Sequence, residues 1–370
     1  MQLKRLSLFN FRNYREATLE FAKGIHILHG ENGAGKTSIL EAIHYLGLTK
    51  SFRTTTDKHL IHHNESMFRI EGEFLDNQNN GMDSILAYSR DQGKHLTVNG
   101  HKAQKFSEYI GEVPLVLLHP ADLSLSQGSP QQRRRFLDVL LSQSSKLYLH
   151  HLIQYNRSLK QRNLLLQAPH TDTNVLTSWE ENLISHGMEI ILKRRRTAAQ
   201  LSELVSSYYR ELSKSDDSVD VEYKCNVVQR DDEGSLEEAY RRLFATKRQI
   251  EIESGSTVLG PHRDDLVFRI NEKPMKIVAS QGEHKTFVIA LKLAEFQHLE
   301  QQRNEAPILL FDDIFGELDA GRIYLMLQQL SNMGQVFVTT TSANFFEKVH
   351  DMETPTHYYI VNDGTVMMET

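Results

Sequence analysis

The eight residues Gly30-Glu31-Asn32-Gly33-Ala34-Gly35-Lys36-Thr37 constrain this chain more than any other stretch, because they complete a G-x-x-x-x-G-K-[ST] loop. The flanks suit it. Ile25-His26-Ile27-Leu28-His29 is an apolar run suited to a buried strand, and Ile39, Leu40, Ile43 and Leu46 follow at helical spacing. A strand, a glycine-rich turn and a helix in that order offer backbone N–H groups and a positive helix end to a polyphosphate. Glycine at positions 30, 33 and 35 removes the Cβ atoms that would hold phosphates away. Lys36 is placed to reach the outer phosphates, and the Thr37 hydroxyl to complete the shell of a Mg²⁺ ion. Gly30, Glu31, Asn32, Gly33, Ala34, Gly35, Lys36 and Thr37 are therefore the expected nucleotide-binding set.

A chain of 370 residues has room for one large or two ordinary domains with a full core. No apolar run approaches the ~18 residues of a membrane span, and polar residues interrupt the N-terminal stretch from Leu3 to Arg12 where a signal core would lie. Cys225 is the sole cysteine, which excludes an internal disulfide and a cysteine-built zinc site. A cytoplasmic protein with no membrane partner is expected. The net charge of −6 hides an asymmetry. Between Gln131 and Asn163 stand Arg133, Arg134, Arg135, Lys146, Arg157, Lys160 and Arg162 against Asp138 alone, a local +6. Such a segment on an acidic chain is a candidate footprint for nucleic acid, with Arg157, Lys160 and Arg162 the expected DNA contacts. Arg133 is open to a second role, bracing the fold.

Two kinds of pattern alternate along the chain. Leu3, Leu6, Leu8 and Phe11 alternate with polar residues; Met67–Phe74, Ser84–Tyr88 and Leu96–Val98 are further strand candidates; and Asn99-Gly100 is a hairpin signal. Together they suggest an antiparallel lobe. From Pro130 to about Gln167, and again from about Val175 to Leu212, helical spacing predicts two antiparallel helices. Residues 215–277 look mixed. The expected fold is α/β, with a head formed by residues 1–120 and 278–370 and an inserted, mainly helical arm at 121–277.

Further motifs lie in the C-terminal third. Pro307-Ile308-Leu309-Leu310-Phe311-Asp312-Asp313 is an apolar strand ending in carboxylates, which places an oxygen ligand for Mg²⁺ opposite the phosphate loop. Asp312 and Lys36 are 276 residues apart, so a whole domain is inserted between the halves of one site. Ser280-Gln281-Gly282-Glu283 precedes a helix, and Gly316-Glu317-Leu318-Asp319 follows the strand. By themselves these last two mean little more than a helix cap and a loop.

In this order the four elements resemble the Walker A, signature, Walker B and D-loop of an ABC-type ATPase head. The resemblance implies head-to-tail docking, with Ser280 and Gly282 of one subunit covering ATP held by the other. It makes Asp312 the Mg²⁺-associated acid alongside Thr37, and Asp319 the D-loop carboxylate. Asp313 stands where most such ATPases carry a catalytic Glu, so Lys36 and Asp313 are the catalytic candidates. The likeness narrows to the RecF family through Asn10-Phe11-Arg12-Asn13-Tyr14, Ser51-Phe52-Arg53, Gly128-Ser129-Pro130 with Arg133-Arg134-Arg135-Phe136-Leu137-Asp138, and Gly260-Pro261-His262-Arg263-Asp264-Asp265. It implies an ATP-dependent homodimer that binds gapped, single-stranded or junction DNA. It also implies weak, DNA-stimulated ATP hydrolysis, loading of recombinase at gaps together with RecR and RecO, and a part in replication-fork recovery and the SOS response.

Three departures from transporter-type ABC proteins point to slow hydrolysis. His119-Pro120 replaces the usual Gln, with Gln127 or another residue open as its substitute. Thr339-Thr340-Thr341 replaces the switch His, and Asp313 is one methylene shorter than Glu. An SMC-like chromosome-organising ATPase and the ATPase subunit of a transporter are the rival readings. The short arm and the lack of a cysteine pair weigh against the first, and the missing Gln and His against the second.

Overall fold

The computed structural model describes residues 1–168, 173–227, 236–314, 326, 329, 333–341 and 354–369. They form two compact units. The first comprises Met1–Leu123, Tyr208–Ser215 and Gln281–Thr370, and the second Ser124–Ser207 and Asp216–Ser280.

In the first unit, alternation does what the sequence leads one to expect. Strands β1 (Gln2–Phe11) and β2 (Tyr14–Glu20) pair antiparallel, with Leu6 opposite Leu19 and Leu8 opposite Ala17. After β3 (Ile25–His29) and helix α1 (Lys36–Leu48) come β4 (Met67–Leu75), β5 (Gly81–Ser89), β6 (Gly93–Val98) and the two-residue β7 (His101–Lys102). They complete a six-stranded antiparallel sheet in the order β2-β1-β4-β5-β6-β7. Asn99 and Gly100 both take positive φ, 48° and 78°, the conformation that a two-residue hairpin of this twist requires.

The second sheet is largely parallel. A short helix α2 (Phe106–Tyr109) leads to β8 (Leu115–Leu118), and the chain then passes into the second unit. It returns through a long C-terminal helix to four further strands, described below. Helix α1 packs against β1, β4 and β5 of the antiparallel sheet as well as β8. Its apolar residues are therefore buried all round: Ile39, Leu40, Ala42, Ile43, Tyr45 and Leu46 are inaccessible. Close approach needs Gly47, where a Cβ would lie 2.3 Å from the Leu115 side chain.

The second unit departs from the two-helix arm expected. The run from Pro130 splits into α3 (Pro130–Ser144) and α4 (Lys146–Leu166), because Ser145 turns extended and its hydroxyl caps the new helix at Tyr148 N, 3.2 Å away. Helix α5 (Thr173–Ser213) follows, with Tyr208–Ser215 grouped in the first unit. Strand β9 (Val219–Lys224) and helix α6 (Leu236–Ser254) come next, then β10 (Asp265–Ile270), β11 (Lys273–Pro274) and the one-turn α7 (Met275–Val278). Helix α6 escapes sequence reading because it buries only Tyr240, Phe244 and Glu251, too few positions to set a period.

Back in the first unit, α8 (Gln281–Arg303) precedes β12 (Ile308–Asp312), β13 (Val336–Thr340), β14 (Thr356–Asn362) and β15 (Thr365–Met368). The sheet order is β15-β14-β3-β13-β12-β8, parallel except for β15. This order sets β3 and β12 one strand apart, so the phosphate loop and the carboxylates leave the same sheet edge. Among the described residues no helix is long and apolar enough to cross a membrane.

Candidate nucleotide site

Two glycines of the phosphate loop sit where contacts leave no room for a Cβ, while Gly33 faces open space. Gly30 and Gly35 take φ of 148° and 116°, and a Cβ on either would collide, with Val361 O at 2.2 Å or Asn13 Nδ2 at 2.5 Å. Asn13 Nδ2 donates to Ala34 O at 3.0 Å, Tyr14 Oη to Gly35 O at 3.1 Å, and Gly364 N to Ala34 O at 3.2 Å. The turn that carries Asn13 is itself pinned. Arg12, at φ 55°, grips the Glu41 carboxylate of α1 through Nε and Nη2 at 2.8 and 2.6 Å. Ser51 also donates to Glu41, and Arg53 lies 3.5 Å from it. Two motifs named above on resemblance alone, Asn10–Tyr14 and Ser51–Arg53, thus converge on one buried carboxylate of the loop's own helix. Sequence reading missed Glu41, although a carboxylate within an apolar helical run was a visible signal.

Lys36 Nζ donates to the carbonyls of Gly30 and Glu31, 2.7 Å each, and so spans its own loop. Burial pushes its ammonium below the ordinary lysine value, while the charges of Asp313 and Asp312 oppose the shift. The Thr37 hydroxyl donates to Asp312 Oδ1 at 2.7 Å, and the Thr339 hydroxyl shares the same oxygen at 2.8 Å. Thr339 Oγ1 also accepts from Asp313 N at 3.0 Å. One threonine therefore fixes both carboxylate residues. Asp312 is buried at the end of β12, whereas Asp313, the next residue, is exposed with φ 49°.

The donor set fits a hard cation. Hydroxyl and carboxylate oxygens are what Mg²⁺ selects, and two ligands on adjacent corners of its octahedron sit about 3 Å apart. Thr37 and Asp312 would hold it.

The structure gathers Lys36, Thr37, Asp312 and Asp313 with the loop Gly30–Gly35. Ser280 stands exposed immediately before α8 and Gly282 lies in that helix's first turn, where Thr286 Oγ1 donates to Gly282 O at 2.9 Å. Asp319 lies outside the described residues. Thr339, noted from sequence only as standing where a switch His is usual, proves to orient Asp312.

The expected DNA contacts need correction. Arg162 is fully buried: Nη2 bonds Glu251 at 2.6 Å and Glu180 at 2.8 Å, Nη1 bonds Thr257 at 2.7 Å, and the guanidinium lies 4.8 Å from the Phe244 ring centre. It holds α4 to α5 and α6 and cannot meet a phosphate. Arg133 chelates Asp265 through two 2.8 Å bonds, and Arg134 donates to Asp264 O at 2.7 Å. The two arm motifs, Arg133–Asp138 and Gly260–Asp265, thus brace each other. Of the seven cations in the basic stretch, Arg135, Lys146, Arg157 and Lys160 remain exposed.

Comparison with known proteins identifies the family and the fold. The family described as "RecF/RecN/SMC N terminal domain" matches residues 2–365. The DNA replication and repair protein RecF of Geobacillus sp. (strain WCH70) is 38% identical, over 99% of this chain and 98% of its own. That of Chloroherpeton thalassium is 38% identical, over 94% and 97%. Among solved structures, the recombination mediator protein RecF-ATP in the RecFOR pathway superposes with a TM-score of 0.90 at 29% identity, covering 100% of this chain and 97% of that one. An Smc head bound to the C-winged helix domain of ScpA shares the fold, with a TM-score of 0.59 at 15% identity. An antiparallel lobe, an inserted helical arm and a phosphate loop paired with Asp312 across a parallel sheet are the parts of an ABC-type ATPase head, and the chain belongs to the RecF/RecN/SMC family and, within it, to the RecF proteins of DNA replication and repair.

Proposed function

We propose that this chain is a cytoplasmic, ATP-switched DNA-binding protein of recombinational repair and replication-fork recovery. Mg·ATP occupies Gly30–Thr37. Ser280 and Gly282 of a second copy close over it, so that ATP binding makes the homodimer. DNA is held by the dimer at gaps or junctions, where RecR- and RecO-type mediators join it to load recombinase. The observation that carries this is the meeting of Thr37, Asp312 and Thr339 within hydrogen-bond distance, next to a phosphate loop that Lys36 spans. The likeness to an ATP-bound mediator of the RecFOR pathway supports it.

The residues divide the work. Lys36 exchanges its two loop carbonyls for phosphate oxygens, so the loop is set in shape before ligand arrives. The cation, when bound, neutralises charge on the outer phosphates. Asp313, exposed at the strand end, orients the attacking water; its short side chain suits a slow reset better than rapid turnover. A dimer doubles the phosphate contacts offered by Arg135, Lys146, Arg157 and Lys160. ATP therefore tightens DNA binding, and DNA reciprocally favours the ATP dimer and speeds its hydrolysis.

Sedimentation with and without ATP, and with and without gapped DNA, tests this. Wild type should dimerise with ATP and bind DNA more tightly. Lys36→Arg should lose most hydrolysis, because a planar guanidinium does not fit the loop. Ser280→Arg should bind ATP as a monomer yet fail to dimerise. Loss of ATP binding in Ser280→Arg would place that serine in the same subunit's site and overturn the trans arrangement.

A further inference from the structure

Adjacent residues on a helix point about 100° apart, so His150 and His151 of α4 do not chelate one ion between themselves. The fold supplies a different partner. His151 Nδ1 lies 3.0 Å from His186 Nδ1 on α5, and the two ring centres are 5.2 Å apart. Among the described residues neither ring makes another hydrogen bond. The crossing beneath them is tight. Gly187, next to His186, has little room for a side chain: a Cβ there would lie 3.0 Å from the Tyr240 ring and 3.2 Å from that of Tyr155, one turn along α4 from His151. Tyr155, Leu183 and Ile190 are buried around this point. A packed core, not a loop, therefore holds the two imidazoles nitrogen to nitrogen.

We propose that His151 and His186 form a two-point clamp for a divalent ion of the imidazole-binding class (copper, nickel or zinc), tying α4 to α5 within the second unit. A neutral imidazole carries one N–H, so the contact between the rings needs one to donate and the other to accept. When the donor's proton moves to its Nε2, two lone pairs converge on one point, and no proton has to leave the protein. Metal–imidazole bonds of about 2.0–2.1 Å set two ligating nitrogens roughly 2.9 Å apart at a right angle and 3.4 Å apart at the tetrahedral angle. The separation of 3.0 Å matches neighbouring corners of a square or octahedral shell, which ranks copper and nickel ahead of zinc. Burial, together with His151 and His150, holds His186 below the ordinary histidine value, which favours the neutral ring that a metal needs. No three of His, Cys, Asp and Glu converge on a metal position among the described residues, so water fills the ion's remaining corners and loading is reversible. Mg²⁺ prefers oxygen, so this clamp and the nucleotide site select different ions. His150 stands outside the clamp, exposed, with its ring centre 5.7 Å from that of His151 and 6.2 Å from that of His186.

Titration of the full chain with Ni²⁺ and with Cu²⁺, with Mg²⁺ in excess to fill the oxygen site, tests this. Wild type should take up one ion at its tightest site, and its thermal unfolding should move to higher temperature with the ion present. His151→Ala and His186→Ala should each weaken that uptake about 100-fold, because the second contact of a chelate is intramolecular, while His150→Ala should stay within about 10-fold of wild type. Electron paramagnetic resonance of Cu²⁺-loaded wild type should show two imidazole nitrogens on the metal. This readout needs no variant, so it holds even where a substitution disturbs the packing of α4 on α5. Uptake as tight in His151→Ala as in wild type overturns the inference, and so does a copper signal from a single nitrogen. A loss in His150→Ala as large as that in His151→Ala would place the ion on the outer face of α4 and overturn it too.

Discussion

Thr339 sits between the two acids of the site, donating to Asp312 and accepting from the backbone of Asp313. Thr339→Val keeps the shape of the side chain but removes both bonds. Asp312 then loses a donor, while Asp313 N retains only Thr339 O at 3.2 Å. The expected result is a loss of about 1 kcal/mol in stability, an ATP affinity within about 10-fold of wild type, and a fall of 10- to 100-fold in hydrolysis, with Thr339→Ser restoring most of it. Nucleotide titration and steady-state turnover check this, and equal turnover in Thr339→Val would remove the residue from the site. The loop residues could be read from sequence because the chemistry of a phosphate dictates them within eight consecutive positions. Glu41 stood out only as a carboxylate within an apolar run, and the roles of Thr339 and Glu41 could not be read because they depend on partners brought from elsewhere in the chain. Asp312 and Thr339 meet only because β12 and β13 lie side by side, a pairing that no local pattern announces.

At the scale of the element, helix α4 separates cations that the sequence grouped together. Successive residues turn about 100°, so Lys160 lies about 60° round the helix from Arg157 and Arg162 about 140° from it. The period itself therefore held the signal that Arg162 faces inward, and counting charge without placing it on the helix missed this. The variants should part accordingly. Arg157→Gln with Lys160→Gln should leave folding intact and flatten the slope of log affinity for gapped DNA against log salt by up to about 2. Arg162→Met should cost about 3–5 kcal/mol in chemical denaturation, because the buried Glu180 and Glu251 lose their shared cation. An unchanged salt slope in the double variant would move the DNA to other cations. The helical runs between Pro130 and Leu212 were legible; the break at Ser145 was not, since one serine's cap outweighed an otherwise continuous pattern.

Across the whole molecule, each unit carries a histidine held neutral by burial. His26 is pushed down to about 3, with Nε2 at 3.1 Å from Ala22 O and Nδ1 at 3.2 Å from Tyr359 Oη; His262 is pushed down to about 4, with Nδ1 2.7 Å from Tyr155 Oη. The unfolded imidazoles take up protons below about 6.5 while the folded ones do not, so stability is full above that pH and falls as acid approaches 3 to 4. Going from pH 7 to pH 5 should cost up to about 2 kcal/mol per histidine, and His26→Gln should remove its share from the unfolding of the first unit, as denaturant titrations at the two pH values would show. The strand order carries a different consequence. β3 is flanked by β13 and β14, whose residues, 336–340 and 356–362, leave the ribosome some 300 positions after it. The antiparallel lobe is encoded within residues 2–102 and has all its strands early, but the phosphate loop waits about 15–60 s of synthesis for the strands beside it. A chain that stops before residue 336 thus lacks both neighbours of β3 and cannot build the nucleotide site. Formation of the phosphate loop is thereby coupled to synthesis of the strands beside it, so products that stop short of β13 are shut out of ATP binding without any separate inspection.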